Sequence, residues 1–331
     1  MDDGAALAVI DQAGIDTWSP AWYLDEDDPV LAAVLALATS PAKRGRVLPE
    51  KIAGHTIGCF PGQRMVYAEG HPGGDRLGSP DALPEALCAL ETGLRDYGLP
   101  MPRRRPYDHF TVDPRPRSGF AGIRRLDTTL DLSYETTAEG LAVLAGIAAV
   151  AGQVVHRSHD LRFPETVLLK GRSGRTTLGR VYDKGVESGS APRGRLIRPE
   201  DQRRYPREAR RDVEELTTSY VREQFIRRFT PLWRATKGVV TVSGPLTLAS
   251  KLCDAIEEGE VSPREARMIA GDLLMASVGA PASSRRTRFR HRARARSLGL
   301  VFGDGVLEEV EVDLHDVLDE VLETDAWNRR D

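Results

Sequence analysis

At 331 residues, 40% of them hydrophobic, the chain can bury one large core or two smaller ones, which excludes a disordered or fibrous protein. No apolar run approaches the roughly 20 residues of a membrane span; the longest, Leu141 to Gly152, is short and alanine-rich. The net charge of −3 excludes a uniformly basic or acidic chain, although the sign is distributed very unevenly.

The opening Met1-Asp-Asp-Gly4 has neither a basic stretch nor an apolar signal core, so the expectation is a cytoplasmic protein. Cys59, Cys88 and Cys253 are isolated and read as buried thiols in a reducing compartment. Gly14-Ile-Asp-Thr17 begins a strand that ends near Leu24, and a helix follows from Pro29 to Ala38. A hairpin over His55 to Tyr67, turning at Pro61-Gly62, closes on Met65-Val-Tyr-Ala-Glu-Gly70. Ser79 and Pro80 open a helix with a stripe of Leu83, Leu87, Leu90 and Leu94 that stops at Gly98.

The pattern then repeats. Arg125-Leu-Asp-Thr128 begins a strand to Tyr134, and an alanine-rich helix follows behind a Thr136/Glu139 capping box. A hairpin turning at Arg172 to Gly174 closes on Arg180-Val-Tyr-Asp-Lys-Gly185. The order and spacing predict two copies of one αβ unit about a pseudo-twofold. An amphipathic helix is expected from about Arg207 to just before Pro231. The remainder reads as helical: Ser262, Pro263 and Glu265 start a helix, and a short strand at Leu307 to Val312 precedes an acidic helix from Leu314. The expected fold is therefore α+β, with a first unit over 1–122, a second over 123–237 and a helical C-terminal domain over 238–331.

Charge concentrates in two places. Between Met101 and Val240 there are 27 Lys and Arg against 17 Asp and Glu, and Arg285 to Arg296 holds seven Arg and one His with no acid. Single-sign runs of this kind favour a polyanion, since phosphate contacts supply most sequence-independent DNA affinity; an arginine-rich solvated surface is the plainer alternative. Arg198, Arg203 and Arg204, with Arg285, Arg286, Arg288, Arg290 and Arg292, are the candidate DNA contacts.

Alternation places a second set of residues on one sheet face. Asp127 and Asp131 share a side of their strand, Arg180, Tyr182 and Lys184 share a side of theirs, and Arg198, Glu200 and Gln202 do so on a third. Asp127 and Asp131 are about 13 Å apart along an extended strand, so one ion cannot easily touch both. Either of them with Glu200 could hold Mg²⁺ or Mn²⁺ through oxygen, and that ion would polarise a phosphate; ion pairs on a solvated face are the competing account. His156 and His159 have no metal-ligand spacing, and no P-loop, nucleophile elbow or zinc spacing occurs.

These residues resemble the replication-initiation factor (Rep_trans) family of rolling-circle initiators and MobT-type relaxases of plasmids, phages and conjugative elements. The resemblance runs in order through Arg125-Leu-Asp-Thr-Thr-Leu-Asp131, Thr166-Val-Leu-Leu-Lys-Gly171, Arg180-Val-Tyr-Asp-Lys-Gly185 and Ile197-Arg-Pro-Glu200. It implies a duplicated αβ core, origin recognition in double-stranded and locally single-stranded DNA, and metal-dependent nicking by a tyrosine. A host helicase or replication protein and a second copy of the chain are further partners in this reading. One departure stands out: the position of the family's nucleophile is Leu178 here. Tyr182, flanked by Arg180 and Lys184, is the nearest phenol, with Tyr205 and Tyr220 further off. Three readings follow: a nicking initiator or relaxase, a DNA-binding relative that has lost the nucleophile, and, more remotely, an RNA-processing nuclease.

Overall fold

The structure, a computed structural model, describes residues 9–38, 40–42, 45–74, 76–102, 119–154, 166–170, 177–236, 239–277, 283–302 and 310–328. His156, His159 and the turn at 172–174 lie outside the described residues.

Two 15-residue strands form the seam of the fold, β1 (Val9–Tyr23) and β6 (Gly119–Ser133). They pair antiparallel from Val9 opposite Ser133 to Tyr23 opposite Gly119. Each starts a unit of the same plan. After β1 come α1 (Pro29–Leu37), the short β2 (Ser40–Ala42), β3 (Gly45–Ile52), β4 (His55–Phe60) and β5 (Met65–Glu69). After β6 come α3 (Thr137–Val154), β7 (Thr166–Lys170), β8 (Thr177–Asp183) and β9 (Leu196–Arg204), with α2 (Leu83–Asp96) between the units and the short α4 (Lys184–Ser188) after β8. All nine strands form one sheet in the order β2-β3-β4-β5-β1-β6-β9-β8-β7. Within each unit the last strand returns to lie beside the first, so the halves mirror each other across the β1–β6 seam.

The repeat is therefore real, but the expected correspondence is off by one strand. Met65-Val-Tyr67 lies on β5, whose counterpart is β9, whereas Arg180-Val-Tyr182 lies on β8, whose counterpart is β4. The segment that hid this is β3: Pro49 sits inside it, and its pairing with β4 shifts register between Val47 and Lys51. Neither feature reads as a strand.

One side of the sheet carries the core. Trp18, Trp22, Leu126, Leu130, Val181 and Ile197 point into it, covered by α1, α2, α3 and α5 (Thr218–Ala235). Each such side chain contributes about 1.5–3 kcal/mol on burial. The α3 capping box forms as expected, with Glu139 N donating to the Thr136 hydroxyl and Thr136 N to the Glu139 carboxylate. Gly140 lets α3 approach the β8–β9 loop so closely that an added Cβ would overlap the Gly194 carbonyl oxygen.

Three local expectations need correction. The helix expected from Arg207 begins at Thr218, because residues 207–209 and 213–215 form only 3₁₀ turns and Ile123 N binds the Arg211 carbonyl at 2.8 Å, drawing that stretch onto the sheet. The same helix continues through Pro231 to Ala235: Phe229 and Leu232, on either side of the proline, are both buried, and packing outweighs the lost ladder bond. Of the cysteines only Cys59 is buried, while Cys88 and Cys253 are exposed on helices.

The chain beyond α5 divides. α6 (Pro245–Glu257), α7 (Pro263–Ser277) and α8 (Arg285–Ser297) pack around a small core of their own that includes Leu248, Leu252, Ile269, Leu273 and Ala295. A three-stranded sheet of β11 (Val301–Phe302), β10 (Val239–Ser243) and β12 (Val310–Asp313), with α9 (Leu314–Glu323), instead joins the main core through Val242, Val312, Leu314 and Val317. Among the described residues no helix is long and apolar enough to cross a membrane.

Candidate functional site

The side of the sheet facing away from α3 and α5 assembles the polar residues expected from alternation. Register fixes the rows: Gln202 lies opposite Asp127 and Leu178, Glu200 opposite Thr129 and Arg180, and Arg198 opposite Tyr182. Asp127, Asp131, Glu200, Tyr182 and Arg198 are all buried. Lys184 is the exception. The strand ends at Asp183, whose carboxylate caps α4, so Lys184 starts that helix and its ammonium bonds Glu187 at 2.8 Å.

Every carboxylate in the face is met by a guanidinium. Arg198 clamps both oxygens of Asp131, Nε to Oδ1 at 2.5 Å and Nη2 to Oδ2 at 2.8 Å, and reaches Asp16 Oδ1 at 2.6 Å through Nη1. Asp16 comes from β1, so this cation ties the two units together across the seam. Arg125 holds Asp127, with Nε at 3.0 Å from Oδ1, and its Nη1 donates to Glu69 at 2.7 Å. Arg180 Nη2 donates to Glu200 Oε2 at 2.6 Å, and the Tyr182 hydroxyl donates to the same oxygen at 3.1 Å. Such buried pairs add little net stability, but losing one partner strands the other.

Protonation follows from the burial. Desolvation pushes the Asp127 and Glu200 carboxyls above their ordinary values against the pull of Arg125 and Arg180, and the Asp127 charge adds to the rise at Glu200. At Asp16 burial works upward too, but the Arg198 and Lys184 charges outweigh it and the carboxyl sits below its usual range. The Tyr182 phenol is pushed up by burial and by the Glu200 carboxylate beside it, despite Arg180.

This donor set does not suit a divalent ion. Arg198 closes both oxygens of Asp131, and Arg125 with Gln202 takes both of Asp127. Among the described residues of this face, the open buried oxygens are Oε1 of Glu200 and Oγ1 of Thr129, on neighbouring strands. The third open atom of that row is Nε of Arg180, a cationic donor. One carboxylate oxygen, one hydroxyl and one guanidinium N–H fit a small hydrogen-bonding group better than Mg²⁺ or Mn²⁺, which take several oxygens. Among the described residues, the side chains that bring three ligand atoms within metal-binding reach are His315, Asp316 and Asp319 on α9, away from this face.

The candidate DNA contacts divide in the same way. Arg198 is buried between its two carboxylates. Arg203 points to the helical side, where Nε binds Asp201 at 2.6 Å and Nη2 binds the Gln224 carbonyl at 2.9 Å. Arg204 is exposed at the end of β9.

The arginine run forms a helix. Ser284 caps α8 by accepting from Thr287 N at 3.3 Å. The inner side packs on α7 through Ala295, with His291 bonded to Asp272 and Arg294 Nε to Glu265 at 3.2 Å. Arg286 and Arg290, one turn apart, are exposed, and Arg288 and Arg292 are half-buried beside them, while Arg285 opens the helix. Like charges at i and i+4 each destabilise a helix by about 0.2–0.5 kcal/mol, and cations at its N-terminus oppose the helix dipole.

No protein-family model matches the chain, and no curated protein matches it. Among solved structures it is similar to a rolling circle replication initiator protein from Geobacillus stearothermophilus, at 13% identity over 58% of this chain and 74% of that chain, with a TM-score of 0.25. A likeness that slight decides nothing about chemistry, which rests on the side chains above.

Sequence reasoning missed Asp16, Glu69, Arg124 and Thr129. Asp16 was legible in principle, since it occupies in the first unit the place of Asp127 in the second. Glu69 and Arg124 carried no signal, because a register irregularity in the β1–β6 pairing between Ser19 and Pro20 lets Arg124 and its neighbour Arg125 both reach Glu69.

Proposed function

We propose that this chain is a DNA-binding protein of the replication-initiator kind, acting at an origin by binding rather than by cutting. The observation that carries the reading is α8: seven arginines and no acid on one capped helix, held by its own small core, with Arg286 and Arg290 turned to solvent. A helix that accepts self-repulsion at its surface is suited to a phosphate backbone, which relieves it. The ordered motif resemblance between Arg125 and Glu200 supports the initiator assignment.

The same face argues against Tyr182 as a nucleophile. A phenol attacks when its proton is easily lost, in a cationic or metal-bound setting. Here burial and Glu200 hold the proton on, the hydroxyl is committed to Glu200, and Leu178 occupies the family's nucleophile position. Asp127, Asp131 and Glu200 as ligands of Mg²⁺ or Mn²⁺, with Tyr182 attacking, remain the nicking form of the reading.

The test is duplex binding by gel shift together with incubation of supercoiled cognate DNA with Mn²⁺. The expected result is salt-sensitive binding with no nick. A nick that disappears in Tyr182→Phe, with a covalent adduct mapped to Tyr182, would overturn the non-cutting reading.

A further inference from the structure

α9 is the acidic counterpart of α8. Its ten residues include Asp316, Asp319, Glu320 and Glu323, with His315 and neither lysine nor arginine. His315 and Asp319 are an i, i+4 pair, and Asp316 and Asp319 an i, i+3 pair, so the three side chains are neighbours on the helix surface. One ligand atom from each, an imidazole nitrogen and two carboxylate oxygens, lies within 4.8 Å of the others. Among the described residues no lysine or arginine pairs with Asp316 or Asp319.

Groups outside the trio hold it in place. Asp313 Oδ1 accepts from the backbone N–H of His315 at 2.9 Å and of Asp316 at 3.2 Å, which fixes the start of the helix. Trp233, from α5, donates its indole N–H to Asp319 Oδ1 at 2.6 Å, and its ring lies 5.2 Å from the His315 ring at 45°. Asp319 Oδ2 is left to face His315 Nδ1 at 2.9 Å. Outer partners of this kind orient the imidazoles and carboxylates that bind metals. The His315 and Asp319 side chains are 41% and 37% exposed, so an ion in solvent reaches both.

We propose that the first turn of α9 binds Zn²⁺ through His315 Nδ1, Asp319 Oδ2 and an Asp316 carboxylate oxygen, with water completing the shell. Zinc stands about 2.0–2.2 Å from nitrogen and oxygen ligands, which puts neighbouring corners of its tetrahedron about 3.3 Å apart. The 2.9 Å between Nδ1 and Oδ2 is already close to that edge. The hydrogen on Nδ1 moves to Nε2 when the imidazole is neutral, and one proton is released to solvent when it is charged. An imidazole ligand favours zinc over Mg²⁺ and Ca²⁺, which take oxygen shells. The ion would offset the repulsion among the α9 acids and, because Asp319 also holds Trp233, tie α9 to α5. This site is independent of the DNA reading.

The experiment is a zinc titration of the chelator-treated full chain by calorimetry, with copper quenching of tryptophan fluorescence as a second readout. Wild type is expected to take up zinc at this site in the presence of a large excess of Mg²⁺. Trp233→Phe removes only the outer hydrogen bond and should weaken zinc binding by roughly tenfold or more, while its metal-free melt stays near that of wild type. His315→Ala and Asp319→Asn remove ligands and should cost at least as much. Asp316→Asn, at an exposed position, supplies a further ligand deletion if either of those melts early. Cu²⁺ should quench wild-type emission, and Trp233→Phe should lose most of that quench, since Trp18, Trp22 and Trp327 are buried. No zinc uptake by wild type, equal uptake by His315→Ala and wild type, or displacement of zinc by an equal concentration of Mg²⁺ overturns the proposal.

Discussion

Replacing Arg286, Arg288 and Arg290 by Ala tests α8 with two readouts that a binding role and a structural role move in opposite directions. If each arginine neutralises one phosphate, the slope of log K against log salt should flatten by about 2.7, at about 0.9 per contact. Between 50 and 200 mM salt, a fourfold change, those three contacts account for an affinity change of about 40-fold in wild type, which the variant should not show. Folding should respond the other way. The substitutions remove the like-charge i, i+4 pairs 286/290, 288/292 and 290/294, worth roughly 0.6–1.5 kcal/mol together. They also leave the Ala295 packing, the His291–Asp272 bond and the Arg294–Glu265 pair untouched, and Ala is as good a helix former as Arg. The variant should therefore melt at or above the wild-type temperature while binding duplex weakly. Salt titration by anisotropy and a thermal melt give both numbers. An unchanged slope, or a melting temperature that falls along with affinity, would show that these arginines hold the helix in place instead of contacting phosphate.

Two further substitutions test the outer face and the packing beneath it. Glu200→Gln removes a carboxyl whose pKa is raised by burial against the pull of Arg180; the raised value means its stability contribution is present at low pH and lost as pH rises through the folded-state pKa. Wild type should thus gain stability relative to the variant as pH falls from 7 toward 4 in urea titrations, and a relative loss over that range would mean that Glu200 is held ionised. Gly140→Ala drives a methyl into the Gly194 carbonyl oxygen, so about 3 kcal/mol or more of destabilisation is expected, with a variant within 1 kcal/mol of wild type showing that α3 and the β8–β9 loop can separate.

Much of the architecture was legible because it depends on short-range signals. Alternation placed Asp127, Asp131, Glu200, Tyr182 and Arg198 on one face, and the capping residues Thr136 and Ser262 marked helix starts that hold. Strand count in the first unit was not legible, since Pro49 and a register shift disguise β3. The pairing on the face was not legible either. Alternation says which side a residue takes, not which partner it meets, and Arg198 meets Asp16 across a separation of 182 residues.

Duplication explains why the two ends of one face came to differ. Equivalent strands carry unlike residues: β5 presents Met65, Tyr67 and Glu69 where β9 presents Arg198, Glu200 and Gln202, and β4 presents Gly58 and Phe60 where β8 presents Leu178, Arg180 and Tyr182. In the second unit acids and bases meet in nearly equal number and pair with one another, leaving only Oε1 of Glu200, Oγ1 of Thr129 and Nε of Arg180 open among the described atoms of this face, which fixes the strands but leaves little charge for a ligand. In the first unit the rings of Tyr23 and Tyr67 are buried on the sheet, and guanidinium groups cover them, Arg124 over Tyr67 and Arg207 and Arg210 over Tyr23.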